Sequence, residues 1–299
     1  MEKNVLVIGN VFESKSLIVR NFCERDNEVV AEKLSSRISG AAIVVSAMAA
    51  FLHMNVTLFT RAKTSSQLNV LISKLSALDI NTTQADFSAA DSNILITIYD
   101  NNQDRICYSY LPTQININDL IDIDYSIYDA VFFCCLPYAI VAPIFKSNST
   151  VKKTLSIILA SGFTPEYFDK QKLQIPANYV FCNRGELLNV LANKKQDCNI
   201  SLDELIHGIS AEKATIVVTM GEDGIIIADN TFTQKINVNR IKRIVHPGGA
   251  GDAFATGFIC GILEGRNTSE CCSLGHQCST LMLSVYDVVE FIDSVLKER

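Results

Sequence analysis

Runs of consecutive apolar residues alternate along the chain with segments whose apolar residues repeat at helical spacing. The apolar runs are rich in Val, Ile and Phe and predict strands covered on both faces, at NVLVIGN (4–10), NVTLFTR (55–61), YDAVFFCCL (128–136), TLSIILA (154–160), NYVFCNR (178–184) and ATIVVTMG (214–221). Helices are predicted at 40–53, 65–78, 185–193, 201–211, 250–264 and as a pair within 268–298, and Ser201 with Glu204 forms a capping box. This alternation predicts an α/β fold with a mostly parallel central sheet flanked by helices.

Two segments depart from the alternation in the N-terminal part of the chain. Residues 93–111 have the pattern of a β-hairpin, and residues 12–37 are more polar and resemble strands rather than a helix. We expect them to form a small β-sheet lid over one edge of the main sheet. With no internal repeat and no Pro/Gly-rich linker, residues 1–299 are expected to form a single domain with this lid.

Composition narrows the class of protein. Apolar residues make up 48% of the 299 residues, charged residues 19%, and the formal net charge is −6, which argues against a nucleic-acid-binding surface. The apolar runs are too short or too interrupted to span a membrane, and no signal peptide is evident, so we expect a cytoplasmic protein. The ten cysteines show no C-x-x-C spacing, and reduced thiols in the core are expected.

The stretch HPGGAGDAFATGF (246–258) places glycines and an aspartate directly before a predicted helix. Gly248, Gly249 and Gly251 let successive backbone N–H groups form a concave anion site, which the helix N-terminus reinforces. A carboxylate at Asp252 would repel a bound phosphate, but it could accept the proton of a hydroxyl that attacks phosphorus. The alternative is a loop followed by a favourable first-turn acid.

Two other motifs lie at the ends of predicted parallel strands, where ligands bind in open α/β sheets. In NRGE, Asn183 and Glu186 open a helix, and Glu186 could hold Mg²⁺; a helix-capping acid is the alternative. In VTMGEDG, Thr219, Gly221 and Gly224 could contact polyphosphate oxygens, and a plain hairpin turn is the alternative.

The order of these three motifs resembles the ribokinase (PfkB) family of carbohydrate and nucleoside kinases over essentially the whole chain. The late family signature D-T-x-G-A-G-D is matched by residues 246–252, and N-x-x-E is matched by Asn183 and Glu186. The resemblance implies Mg²⁺- and ATP-dependent phosphorylation of a hydroxyl, with Asp252 as the base. It also implies that the amides around Gly249, Ala250 and Gly251 form the anion hole, and that a homodimer forms through the lid.

Several positions depart from the family pattern. His246 and Pro247 replace Asp-Thr, so we expect no strong potassium activation through that side chain. At the acceptor end, Ser14 stands where the family has an acidic residue.

The family's G-G-x-x-x-N stretch appears here as SGAAIV, with Ser39, Gly40 and Val44 at its three defining positions. The substrate is then not an ordinary sugar, or other residues hold it, or catalysis is lost. We expect a kinase for a small sugar or sugar-like metabolite. The alternatives are a nucleoside kinase of the pseudouridine type, indicated by residues 278–284, and a metabolite-binding regulatory protein. His53, His207 and His276 have no partner that indicates catalysis.

Overall fold

A computed structural model describes residues 2–101, 105–160, 177–192, 214–229, 231–241 and 243–299, the last four residues of 177–192 by backbone alone. The strands are β1 (Asn4–Gly9), β2 (Phe12–Ile18), β3 (Lys33–Ser39), β4 (Asn55–Phe59), β5 (Ile94–Tyr99), β6 (Arg105–Tyr110), β7 (Ala130–Cys134), β8 (Leu155–Leu159), β9 (Tyr179–Asn183), β10 (Thr215–Thr219), β11 (Ile225–Ala228) and β12 (Thr233–Ile236). The helices are α1 (Ala41–Phe51), α2 (Ser66–Ala77), α3 (Ile117–Leu120), α4 (Tyr138–Ser147), α5 (Arg184–Ala192), α6 (Ala250–Leu263), α7 (Thr268–Leu283) and α8 (Val288–Glu298).

Eight strands form the main sheet in the order β12-β11-β10-β9-β8-β7-β1-β4. Six of these strands run parallel to one another, namely β10, β9, β8, β7, β1 and β4, and β11 and β12 add an antiparallel edge next to β10. The carboxyl ends of the parallel strands therefore meet at one edge of the sheet, and this confirms the expected α/β architecture.

The two faces of the main sheet are covered by two separate cores. Alternation within β1 shows how one strand serves both, because Val5 and Val7 belong to one core, while Leu6 and Ile8 belong to the other. The first core contains the buried faces of α1, α2, α6, α7 and α8, and the second contains buried residues of α3, α4 and α5. A strand buried on both faces carries no polar alternation, which explains the continuous apolar runs.

The lid is a second sheet in the order β3-β2-β5-β6. As expected, 93–111 forms an antiparallel pair and 12–37 supplies two further strands, of which β2 runs parallel to β5. The pairs Leu95 with Ser109 and Thr97 with Cys107 lie on the face that lines a cavity. Every second residue of each lid strand thus faces the main sheet.

Most predicted helices agree with the structure within a few residues, and the helix predicted at 201–211 with its capping box lies outside the described residues. The sequence did not reveal α4, because its segment is apolar on nearly every side and contains Pro143. It also did not reveal β11 and β12, which have four residues each.

Candidate active site

A cavity of about 300 Å³ lies between the inner face of the lid and the ends of the main-sheet strands. The lid contributes Phe12, Ser14, Arg37, Ile38, Ser39, Leu95, Thr97, Tyr99, Arg105, Cys107 and Ser109. The body contributes Asn10, Gly40, Ala41, Val44, Cys134, Cys135, His246, Gly248, Gly249, Asp252, Met282, Tyr286, Asp287 and Val288. This volume is at the small end of the usual range for small-molecule sites.

The predicted acceptor residues Ser14, Ser39, Gly40 and Val44 all line this cavity together with Asp252. Their order along the chain explains this arrangement, because β3 ends at Ser39 and α1 starts two residues later. Gly40 has φ +141°, and a Cβ there would lie 2.5 Å from the backbone oxygen of Asn10. A side chain at residue 40 would therefore push the lid strand away from β1.

The glycine-rich turn places Asp252 at the start of α6. Gly249 is the N-cap residue in the left-handed region with φ +81°, and Asp252 is in the first turn. A Cβ built at Gly251 would meet no atom within 4 Å, so the backbone is open on that side. Backbone N–H groups at a helix N-terminus without intrahelical partners can receive an anion.

Asp252 is partly accessible from the cavity, yet its carboxyl group is poorly solvated. Burial, and second the negative charge of Glu186, raise the pKa of Asp252 to about 7. A carboxyl group that titrates near neutrality is suited to accept a proton from a hydroxyl.

Glu186 and Asn183 hold each other at the junction of β9 and α5. The backbone N–H of Asn183 donates to Glu186 Oε2 at 2.8 Å, and the backbone N–H of Glu186 donates to Asn183 Oδ1 at 2.8 Å. Burial raises the pKa of Glu186 to about 7, while the hydrogen bond from the Asn183 backbone and the charge of Arg105 act in the opposite direction.

Thr219 lies beside Asn183, because the two residues are paired at the ends of β10 and β9. The turn that follows Thr219 is also a hairpin into β11, as the alternative interpretation held. Gly221 is exposed with φ +60°, and no atom approaches its α-carbon. Gly224 is buried, and a Cβ there would lie 2.3 Å from the backbone oxygen of Ile236, so strand packing already requires glycine at this position.

A carboxylate beside a phosphate-binding turn is a donor set that suits Mg²⁺, which takes most of its ligands from phosphate and water. The Asn183 N–H donates to only one carboxylate oxygen of Glu186, Oε2, so the other oxygen could be a ligand of Mg²⁺. Among the residues that the structure describes, no three His, Cys, Asp or Glu side chains cluster as a complete metal site.

Sequence reasoning missed a polar cluster around His246 in the wall of the cavity. Arg37 Nη2 lies 2.7 Å from His246 Nε2, the Tyr99 hydroxyl lies 3.2 Å from the same nitrogen, and the Gly248 N–H donates to Nδ1 at 3.0 Å. Burial lowers the pKa of His246 to about 4, and the charge of Arg37 contributes, so the ring is neutral at neutral pH. The sequence offered no local signal for Arg37 or Tyr99, because strand alternation alone does not say which face points inward.

Cys278 and Ser279 belong to the stretch 278–284, which resembles pseudouridine-type kinases. On α7 both residues have packing or structural roles. Cys278 is buried, and its Sγ would lie 2.6 Å from a Cβ built at Gly257 of α6. Ser279 Oγ donates to the backbone oxygen of Ala250 at 2.6 Å and so supports the first turn of α6. None of the nine cysteines among the described residues forms a disulfide.

Comparison with known proteins shows which proteins this chain resembles. A family described as pfkB family carbohydrate kinase matches residues 2–293. Adenosine kinase 1 of Arabidopsis thaliana is 26% identical over 141 residues, which cover 44% of this chain and 41% of that protein. The cytidine kinase of Thermococcus kodakarensis is 39% identical over 72 residues, 24% of this chain and 25% of that protein. The chain therefore spans less than half the length of the curated relatives it matches.

A solved structure shows that the whole chain shares its fold with known kinases. The ribokinase from Cryptococcus neoformans var. grubii serotype A in complex with ADP has a TM-score of 0.78 at 13% identity, with both chains covered completely. Within the described part of the chain, no helix has both the length and the apolar character needed to cross a bilayer.

Proposed function

Because the chain belongs to the pfkB family of carbohydrate kinases, a family of phosphotransferases, we propose that it transfers the γ-phosphoryl group of ATP to a hydroxyl group of a nucleoside, with Asp252 as general base. The observation that supports this most is the position of Asp252, which lies in a cavity under the lid and in the first turn of a helix that follows a glycine turn.

Asp252 performs the proton transfer in this proposal. Its carboxylate accepts the proton of the acceptor hydroxyl, whose oxygen attacks the γ-phosphorus while the bond from phosphorus to the bridging β–γ oxygen breaks. A general base positioned in this way contributes about 10²–10⁴-fold to the rate. With a pKa of about 7, Asp252 is a stronger base than an ordinary aspartate and still largely ionised at slightly alkaline pH.

Backbone groups stabilise the transferred phosphoryl group. The amides around Gly249, Ala250 and Gly251 lie at the positive end of α6, next to the base. Preorganised donors of this kind supply a large share of the rate enhancement in phosphoryl and acyl transfer, about 10²–10³-fold for one donor.

The nucleotide is proposed to lie over the ends of β9 and β10, next to Glu186, Thr219 and Gly221. Support comes from the pairing of Thr219 with Asn183 and from the ADP in the fold neighbour from Cryptococcus neoformans. Glu186 would hold Mg²⁺ directly or through water, and the metal would neutralise phosphate charge. Gly224 contributes by closing the turn rather than by contact.

The walls of the cavity favour a nucleoside over a sugar as acceptor. Several side chains at the acceptor end are apolar and could cover one face of a base, namely Phe12, Ile38, Val44, Leu95, Met282 and Val288. Ser14 and Ser39 leave hydroxyl groups for the ribose. The relatives named adenosine kinase and cytidine kinase point to the same acceptor class.

A sugar is the second candidate, because the fold neighbour from Cryptococcus neoformans is a ribokinase. Val44→Asn separates the two candidates, since it adds an amide where the nucleoside proposal needs an apolar wall. We expect this variant to raise KM for nucleosides by about tenfold, the scale of one or two buried methyl groups. An unchanged KM for nucleosides together with a lower KM for ribose would support the sugar.

The function is tested with a coupled ATPase assay across nucleosides and sugars, using wild type and Asp252→Asn. The proposal expects at least one nucleoside to stimulate ATP consumption in wild type only, while both proteins bind ATP with the same Kd. If all acceptors are inert but a metabolite raises Tm, the protein is a metabolite-binding regulatory protein and the kinase proposal is wrong.

We further propose that the chain forms a homodimer through the outer face of the lid. The outward residues of β5 and β6 are apolar and partly or largely exposed, namely Ile94, Ile96, Ile98, Ile106, Tyr108 and Tyr110, while Lys15 of β2 lies beside Ile96 on the same face. An exposed apolar sheet face of this kind favours association. Sedimentation velocity should show a dimer for wild type and for Val70→Arg, an exposed position on α2, and a monomer for Tyr108→Arg. A monomeric wild type would contradict the proposal.

A further inference from the structure

His246 connects two parts of the molecule that must cooperate if the proposed reaction occurs, the lid and the anion-binding turn. On the side of the turn, its Nδ1 receives the N–H of Gly248 at 3.0 Å. The ring also packs on this glycine, because a Cβ at Gly248 would lie 2.7 Å from His246 Cε1. The ring therefore supports the backbone directly before Gly249, the N-cap of α6.

On the lid side, two different strands contact the same ring. Arg37 of β3 places Nη2 2.7 Å from His246 Nε2, and Tyr99 of β5 places its hydroxyl 3.2 Å from this atom. The Tyr99 ring meets the imidazole edge-on, with centroids 5.9 Å apart. Arg37 also donates through Nη1 to the backbone oxygen of Tyr286 at 2.9 Å, and this contact ties β3 to the loop before α8.

The chemistry of a neutral imidazole makes these contacts compete. The ring carries one N–H, so it accepts a hydrogen bond at only one of its two nitrogens. If Nδ1 accepts the Gly248 N–H, the proton is on Nε2, which can donate to the Tyr99 hydroxyl but cannot bond to the Arg37 guanidinium. If Nε2 accepts from Arg37, the proton is on Nδ1 and the Gly248 N–H loses its partner.

We propose that His246 is a positioning residue through which Arg37 and Tyr99 of the closed lid control the hydrogen bond of the Gly248 amide. This inference rests on the proposed function. Approach of Arg37 selects the form with the proton on Nδ1 and frees the Gly248 amide, which then joins the donors around Gly249–Gly251. The proton moves between the ring nitrogens through water, so the net charge is unchanged. The anion hole is complete only under a closed lid, which limits ATP hydrolysis without an acceptor.

A double-mutant cycle between Arg37 and His246 tests this coupling. We expect Arg37→Gln to lower kcat by about 10- to 100-fold with KM for ATP unchanged, less than the loss of about 10²–10³-fold for a whole donor, because the variant shifts the tautomer and does not remove the Gly248 amide. His246→Asn is the second variant of the cycle. An asparagine side chain at residue 246 can accept a hydrogen bond from the Gly248 amide, but it is too short to reach Arg37. In that background Arg37→Gln should change kcat less than twofold.

Two further variants show whether the effect is specific to the contacts of His246. Arg20→Gln removes a lid charge that pairs with Glu32 on the surface, and it should leave kcat unchanged. Tyr99→Phe removes the hydroxyl that accepts from Nε2 in the competing form, so it should leave kcat unchanged or higher in wild type and unchanged in His246→Asn. If Arg37→Gln costs the same factor in both backgrounds, Arg37 acts directly on a substrate and the proposal is overturned.

A measurement on the resting protein separates failure of this inference from failure of the proposed function. The ¹⁵N shifts of the imidazole report which nitrogen carries the proton, whether or not an acceptor is phosphorylated. We expect Arg37→Gln to move the His246 proton population toward Nε2 relative to wild type. An identical tautomer in both proteins would overturn the inference even if the kinase is active.

Discussion

Asp252 and Glu186 are the two acidic residues on which the proposed chemistry depends. The pKa of each is raised to about 7 chiefly by burial, and the charge of Glu186 is the second cause for Asp252. The two carboxyl groups therefore influence each other's ionisation, and both titrate in the physiological range. Their different surroundings suggest different uses, since Glu186 is tied to the Asn183 backbone whereas Asp252 faces the cavity.

Replacement of Asp252 by asparagine tests the general base. The change keeps the size of the side chain and removes its ability to accept a proton, so we expect kcat to fall by about 10²–10⁴-fold. Calorimetry should give an unchanged Kd for ATP, and Asp229→Asn, an aspartate in the β11–β12 turn, serves as the control with normal kcat. A decrease of less than threefold would contradict the role of Asp252.

The pH dependence of the rate should follow the ionisation of Asp252. Because the base must be deprotonated, we expect kcat to rise about tenfold per pH unit below pH 7 and to level off above it. The inflection should persist at a lower pH in Glu186→Gln, because the charge that raises the pKa of Asp252 is gone, and it should disappear from the residual activity of Asp252→Asn. An inflection that disappears in Glu186→Gln and remains in Asp252→Asn would belong to Glu186.

The same ionisation predicts how stability changes with pH. The pKa of Asp252 rises from 3.8 to about 7 on folding, so the folded state binds its proton more tightly than the unfolded state does. The stability that Asp252 contributes is greatest below pH 4 and is lost as the pH rises to 7. Urea unfolding should show Asp252→Asn gaining stability relative to wild type between pH 4 and 7. Asp229→Asn, where hydrogen bonds lower the pKa, should show no change over that interval.

At the scale of elements, the start of α6 determines the geometry of the proposed anion hole. Gly249 adopts φ +81°, and Val44 Cγ2 of α1 would lie 3.0 Å from a Cβ at this position. The turn is thus packed against Val44 of the proposed acceptor site, and the two proposed sites share one wall. A side chain at residue 249 would disturb both.

Gly249→Ala should reduce both stability and activity. The left-handed conformation costs a non-glycine residue about 1–2 kcal/mol, and contact with Val44 adds to this. Gly265→Ala is the matched control, because Gly265 has φ +76° with open space around it and lies at the far end of α6. The control should lose similar stability in urea unfolding and keep its kcat. Equal activity of both variants would contradict the role of the turn.

Elements buried on both faces were predictable, because their apolar runs are continuous and bounded by turn residues. The segment of α4 was not, since apolar residues on nearly all sides hide the helical period. Asp252, Glu186 and Ser14 could be predicted as candidate site residues, because each lies in a short motif of neighbouring residues. The contact of Arg37 with His246 joins residues 209 positions apart, and the alternation of β3 does not say which face points inward.

At the scale of the whole molecule, the lid and the main sheet enclose one cavity that contains the proposed base, anion turn and acceptor residues. The proposed base comes from α6, the proposed metal-binding acid from α5, and the proposed acceptor residues from the lid and α1. Only the complete fold brings these four elements together, so the proposed activity requires both sheets.

The most direct test is detection by mass spectrometry of a phosphorylated product after incubation of the protein with ATP, Mg²⁺ and a panel of nucleosides and sugars. We predict a nucleoside monophosphate whose formation is lost in Asp252→Asn. A protein that binds ATP but forms no phosphorylated product from any acceptor, or forms it equally well without the Asp252 carboxylate, would contradict the account.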